Sequence, residues 1–137
     1  MSVRAREFRY AATLDRLGNA KAERGGPLEL GEEWTPEHLL LASLMRCTVA
    51  SLRFHGERAG IGVLASATAA GLVTKREEDG RYAFVEIDVE VDAELDPEPA
   101  DLGKLLAEAE RGCFIGATLT AKPTYRRTVN GATAGIG

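Results

Sequence analysis

The sequence predicts an α+β fold with the element order β-β-β-α-β-β-α-(α)-β, arranged around one long buried helix. Three stretches carry this expectation. Residues 35 to about 60, TPEHLLLASLMRCTVASLRFHGERAG, open with a helix start and are apolar around nearly the whole circumference. Residues 82–95, YAFVEIDVEVDAEL, alternate apolar and acidic side chains with the period of a sheet that has one solvated face. Residues 100–111 set Leu102, Leu105, Leu106 and Ala109 at three- and four-residue steps, the stripe of a helix laid on a sheet.

A chain of 137 residues with 45% hydrophobic content is expected to form a single domain, 1–137, whose core needs no disulfide staples. Its formal net charge is −4, from 17 basic and 21 acidic residues, without a basic cluster larger than a pair such as Arg126-Arg127. No nucleic-acid partner and no anionic membrane surface is therefore expected. The N-terminus, MSVRAREFRY, lacks a hydrophobic signal core, and the long apolar run is broken at Arg46 and Arg53, so neither export nor a membrane span is indicated and a cytoplasmic location is expected. Two cysteines in a reducing compartment are too few for a disulfide framework and lack zinc-site spacing, which leaves catalytic or inert thiols.

In chain order, residues 3–15 alternate enough to predict a half-buried strand, with Phe8, Tyr10 and Ala12 on one side. Arg16-Leu17-Gly18-Asn19 makes a turn, residues 20–24 return as a second strand ended by Gly25-Gly26-Pro27, and residues 27–30 add a short third. Arg16 thus falls at a strand end, either as an ordinary solvated arginine or as a site cation. Thr35 can cap the long helix and Pro36 loses nothing at its first position; Glu37, at the second, suits the helix dipole. About 25 residues would run roughly 37 Å, longer than a domain of this size is wide, unless a kink or a partner subunit intervenes. Cys47 sits midway along it beside Arg46, as a small core hydrophobe or a reactive thiol.

Beyond Gly60-Ile61-Gly62, residues 63–76 are expected as a strand and Glu77-Glu78-Asp79-Gly80 as an exposed hairpin turn. On the returning strand the alternation groups Phe84 with Glu86, Asp88, Glu90 and Asp92, and sets Val85, Ile87, Val89 and Val91 on the opposite face. Asp96-Pro97-Glu98-Pro99 links to the second helix, which Gly112 ends. Cys113 follows, either opening a short third helix whose dipole lowers thiol pKa, or packed in a capping region behind Phe114 and Ile115. Residues 122–129 form the last expected strand, and the tail NGATAGIG is expected to fray. There is no phosphate-cradling loop, dinucleotide fingerprint or nucleophile elbow, and His38 and His55 stand too far apart on one helix to share a metal.

This element order, with one cysteine midway along the central helix and another just past the second helix, resembles the OsmC/Ohr family of thiol-dependent peroxidases over essentially the whole chain. Thr35-Pro36-Glu37 is similar to the family's Asn-Pro-Glu start, and Cys47 follows the glutamate at the family's spacing to the peroxidatic cysteine. Cys113 matches the resolving cysteine, and Arg16 falls where the family places an active-site arginine, with Lys21 and Arg24 close enough to compete. The chain departs from the pattern at Arg46, where a small residue is usual, and at Phe114, where proline is common.

The resemblance implies an intertwined homodimer with active sites at the subunit interface, an arrangement that would also cover the overlong apolar helix. Glu37 and Cys47, about 15 Å apart by helical rise, would then meet only across two chains. It implies that Cys47 reduces an organic hydroperoxide to an alcohol and becomes a sulfenic acid, which Cys113 condenses into a Cys47–Cys113 disulfide. Arg16 would compensate the thiolate and Glu37 orient Arg16. No metal, haem or flavin is called for, and a dithiol of lipoyl type is the expected reductant. The rival expectation is a binding module of the same fold that holds a small apolar ligand, with both cysteines inert.

Overall fold

The computed structural model describes residues 5–136. The chain divides into two compact units, residues 1–35 and 36–137.

The first unit is a three-stranded antiparallel sheet of β1 (Ala12–Leu14), β2 (Ala20–Ala22) and β3 (Pro27–Leu28), in that order. Asp15 builds the first turn: its Oδ1 accepts from the Leu17 and Asn19 N–H groups, both at 2.9 Å. Gly18 supplies the positive φ, 87°, that the turn requires. The expected strand over 3–15 is cut to three residues. Its partner β2 turns away at Ala22–Gly25, so the pairing ends where the Glu23 N–H reaches the Ala11 carbonyl at 3.0 Å; residues 3 and 4 lie outside the described residues.

The second unit packs helices on a four-stranded sheet. Helix α1 (Pro36–Arg58) is followed by β4 (Gly62–Lys75), β5 (Tyr82–Asp96), α2 (Leu102–Arg111), α3 (Phe114–Thr118), β6 (Thr124–Val129) and β7 (Ala132–Ile136). The sheet order is β4-β5-β6-β7; β5 and β6 run parallel and the outer pairs antiparallel. Helix α1 lies against β4, α2 and α3. The buried core gathers Ile87, Val89, Val91, Ala93 and Leu95 of β5, Leu44 and Leu52 of α1, Leu105, Leu106 and Ala109 of α2, and Tyr125 and Val129 of β6. Full burial of a side chain such as Leu44 or Val89 stabilises by about 1.5–3 kcal/mol.

Three expectations need correction. The alternation on β5 holds from Ile87 to Leu95 but reverses before it: Leu72 pairs with Glu86 and Val73 with Phe84, so Val85 is an extra residue in a bulge. Val85 is therefore exposed and Phe84 packs against the core, where Gly71 makes room; a Cβ there would lie 2.5 Å from the ring. Within one chain α1 buries only the stripe of Leu44, Ser51, Leu52 and Gly56, leaving Leu39, Met45 and Val49 half-exposed and Phe54 exposed. The tail does not fray over residues 130–136: Asn130 and Gly131 take φ of 51° and 81°, a two-residue hairpin turn that returns the chain as β7, and residue 137 lies outside the described residues. Asn130 also clamps β5, accepting from the Leu95 N–H at 2.9 Å and donating to its carbonyl at 3.2 Å.

Candidate thiol site

Thr48, Ser51 and His55 recur at three- and four-residue steps and so share one face of α1. That face receives the end of α2. The Ser51 hydroxyl donates to the Ala109 carbonyl at 2.6 Å. Gly112, which caps α2, comes so close that a Cβ would lie 2.7 Å from His55 Cε1 and 3.0 Å from Ser51 Oγ. The next residue along the chain is Cys113, and the close approach at Gly112 delivers it to Thr48 and Cys47, one turn back along α1.

Cys113 is 1% exposed, whereas Cys47 is half-buried; both are free thiols. Cys47 is a near neighbour of Cys113, close enough for the two thiols to influence one another. Thr48 Oγ1 lies 3.9 Å from Cys113 Sγ. Cys113 caps α3 as its sequence position predicts, its sulfur accepting from the Gly116 N–H at 3.4 Å. Its thiol is nonetheless pushed up from its ordinary pKa, which favours the packed capping-region reading over the dipole-lowered one: burial has the largest effect, the Gly116 N–H acts against it, and the adjacent Cys47 adds to the rise.

Behind Cys113 stand residues that sequence reasoning passed over. Tyr125, 3% exposed, lines the same small cavity as Thr48 and Cys113, and burial pushes its phenol up to about 12. Arg127 lays its guanidinium 5.2 Å from the Tyr125 ring centroid and pairs with Glu110 at 3.3 Å. Counted only as a basic pair, Arg126-Arg127 hid this; the signal lay in the alternation of Tyr125, Arg127 and Val129, which turns one of the two arginines inward. The cavity behind Cys113 measures about 20 Å³, room for about one water molecule.

Of the residues singled out from sequence, the structure brings Cys47 and Cys113 together. Glu37 is exposed in the first turn of α1, ten residues and about 15 Å of helical rise from Cys47. Arg16 belongs to the first unit, exposed in the β1–β2 turn, as are Lys21 on β2 and Arg24 in the turn after it. No helix among the described residues is long and apolar enough to cross a membrane.

Two helices and a short capped turn that hold a buried and a half-buried thiol against a four-stranded sheet define an α+β protein with a paired-thiol site. The sequence matches the OsmC-like protein family over residues 29–126, well over half its length, and the chain belongs to that family. An OsmC-like protein of unknown function from Vibrio cholerae superposes with a TM-score of 0.69 at 13% identity, covering 91% of this chain and 99% of that one. The organic hydroperoxide resistance protein OhrB of Bacillus subtilis gives 0.56 at 15%, covering 90% and 98%. An organic hydroperoxide resistance protein OsmC from Legionella pneumophila gives 0.59 at 18%, covering 91% and 98%. These likenesses establish the fold. No curated protein sequence matches.

Proposed function

We propose that the chain is a thiol-dependent peroxidase that reduces organic hydroperoxides. The observation that carries this reading is the nearness of the two cysteines: Cys113 Sγ lies 3.9 Å from the hydroxyl of Thr48, the residue that follows Cys47 on α1, and the two thiols interact. The Cys47 thiolate attacks the terminal peroxide oxygen; the O–O bond breaks, an alkoxide leaves and takes a proton as the alcohol, and Cys47 is left as a sulfenic acid. Cys113 then attacks the Cys47 sulfur, forming the disulfide and releasing water, and an external dithiol restores both thiols. The cavity behind Cys113 is too small for an alkyl hydroperoxide, so substrate approaches from the Cys47 side. There half-buried Leu40, two helical turns before Cys47 on α1, supplies apolar surface that rewards an alkyl chain. Two structural relatives named for organic hydroperoxide resistance support the same chemistry.

The site is completed in a homodimer. Helix α1 leaves apolar side chains half-exposed in a single chain, and Glu37 reaches a Cys47 only by borrowing it from a second copy. Arg16 is assigned as the cation beside the Cys47 thiolate, with Glu37 as the carboxylate that orients it.

The test is to mix the protein with cumene hydroperoxide and count thiols. The peroxidase loses both thiols with one equivalent of peroxide and gains a Cys47–Cys113 disulfide. Cys47→Ser abolishes peroxide consumption, and Cys113→Ser permits one oxidation and stalls at sulfenic or over-oxidised Cys47. Two thiols that survive excess hydroperoxide would overturn the reading in favour of a binding module.

A further inference from the structure

Tyr125 is the only buried aromatic side chain among the described residues, and its phenol shares a small cavity with a buried sulfur. Its Oη lies 2.8 Å from the point where a Cβ on Gly116 would sit, and Cys113 Sγ lies 3.4 Å from the same point, so the glycine leaves open the space that the two groups flank. Proton accounting then limits the donors. The Thr48 hydroxyl has one proton and gives it to the Leu44 carbonyl at 2.7 Å. Besides the Cys47 thiol, which is consumed once it is oxidised, that leaves the Gly116 N–H and the phenol O–H for the sulfur. The phenol's single proton can go to the Thr48 oxygen or to Cys113, and a charged sulfur wins that competition because a charge-assisted bond is the stronger. The guanidinium of Arg127, tied to Glu110, braces the ring.

We propose that, within the thiol–disulfide chemistry above, Tyr125 is the hydrogen-bond donor that stabilises Cys113 whenever its sulfur carries negative charge. This happens twice per cycle. In disulfide formation the Cys113 thiolate attacks the sulfenic sulfur of Cys47; the S–S bond forms, the S–O bond breaks, and the departing hydroxide takes the proton Cys113 released and leaves as water. In reduction a thiolate of the external dithiol attacks the half-exposed Cys47 sulfur; the S–S bond breaks and its electron pair goes to Cys113, which then takes the proton given up by the attacking thiol. The second thiol of the dithiol displaces Cys47, leaving the reductant as a disulfide. Tyr125 thus makes the buried sulfur the leaving group and directs the reductant to the accessible one.

The titratable and charged groups around Cys113 are Cys47 on α1, Glu110 on α2, and Tyr125 and Arg127 on β6. Tyr125 keeps its proton across the range in which thiols titrate, since its phenol is held up to about 12. It is a donor that does not switch off.

In a Cys47→Ser chain, alkylation of Cys113 by iodoacetamide as a function of pH reads its thiolate. Adding Tyr125→Phe should shift that profile to higher pH and slow alkylation at a fixed pH by about tenfold or more, the worth of a hydrogen bond to a charged group. In the two-thiol chain Tyr125→Phe should slow diamide-driven disulfide formation by a similar factor, and with hydroperoxide should slow the disulfide-forming step relative to peroxide consumption. An unmutated chain that makes no disulfide with hydroperoxide defeats the peroxidase reading alone; alkylation and diamide still judge Tyr125. Unchanged alkylation and diamide rates in a folded Tyr125→Phe chain overturn the proposal. A further readout needs no variant: at a pH where Cys113 is ionised, disulfide formation removes the phenol's charged acceptor, so the near-ultraviolet tyrosine band should shift between the two forms, with Tyr10 and Tyr82, 77% and 73% exposed, contributing alike to both. No shift overturns the proposal as well.

Discussion

Arg127 on β6 and Glu110 on α2 join the sheet to the helix that delivers Cys113, Nη2 to Oε1 at 3.3 Å. The arginine side chain is only 12% exposed, so that carboxylate is its nearest compensating charge, while Glu110 at 37% retains water. Glu110→Gln is therefore expected to destabilise by about 1 kcal/mol, below the cost of breaking a fully buried pair. Replacing both partners with apolar residues of similar size should cost less than removing Glu110 alone. Urea midpoints of the two single variants and the double variant measure this; additive losses would show that the pair is not coupled.

The seat of Gly112 on α1 gives a sharper expectation. A methyl group there meets the His55 ring at 2.7 Å, Ser51 Oγ at 3.0 Å and the Glu108 carbonyl at 3.3 Å. Backbone must shift to admit it, so Gly112→Ala should cost about 1–3 kcal/mol. Because the next residue is Cys113, disulfide formation should slow as well. Ser51→Ala removes one hydrogen bond, that to Ala109, and should cost about 1 kcal/mol. Thermal unfolding ranks the two; a Gly112→Ala chain that melts with the native protein refutes the packing argument.

The legible parts of the chain were those in which local chemistry and tertiary demand agree. Pro36 starts α1, the acidic and apolar alternation makes β5, and Asp101, whose carboxylate accepts from the Lys104 N–H at 3.1 Å, starts α2 where the apolar stripe begins. Cys113 as a cap was readable because Gly112 ends one helix immediately before it. Other features depend on distant partners. Nothing in YAFVE announces that Val85 is the extra residue of a bulge, which the β4 register decides. The Asn130-Gly131 turn was readable as a hairpin signal, but the small residues after it resemble a loose tail until β6 supplies a strand to pair with. Cys47 and Cys113 were found through their positions on elements, whereas Thr48 and Tyr125 are recognisable only once α1 and β6 face the same sulfur.

Alkaline pH should weaken the fold through Tyr125. An unfolded tyrosine loses its proton near 10, while the buried phenol holds its proton up to about 12. Between these values the folded state binds more protons, so stability falls as pH rises, by up to about 3 kcal/mol for this group. Cys113, raised by burial, acts in the same direction from lower pH. Urea unfolding at stepped pH should show a shallower alkaline loss for Tyr125→Phe than for the native chain; equal slopes would count against the burial argument.

A homodimer predicts that sedimentation at micromolar concentration gives twice the chain mass, with an interface above about 2,000 Å² as expected for obligate pairs. Phe54, 54% exposed in one chain, is a natural probe of that face of α1. Phe54→Asp should dissociate the dimer and abolish peroxide consumption together. A fully active monomer would remove the need for a borrowed Glu37.

The assignment of the cation is the most exposed expectation, because Arg16, Lys21 and Arg24 all lie exposed in the first unit within nine residues of one another. If Arg16 compensates the Cys47 thiolate, Arg16→Ala should slow hydroperoxide consumption at neutral pH by at least about tenfold and move its pH profile upward, with little loss of stability. Lysine should rescue poorly, since a guanidinium can grip Glu37 at two points while facing the sulfur and an ammonium cannot hold both in fixed geometry. Glu37→Gln should then act as a milder form of the same defect, removing the orienting charge and leaving the cation. Asp15 sharpens the test: its carboxylate shapes the turn that carries Arg16, with its own pKa lowered chiefly by the Asn19 backbone N–H. Asp15→Ala should therefore reproduce part of the Arg16 defect without touching a charge at the sulfur. Lys21 and Arg24 lie outside that turn. Hydroperoxide consumption measured against pH for the alanine variants at 15, 16, 21 and 24 decides among them: native behaviour of Arg16→Ala beside collapse of either rival reassigns the cation.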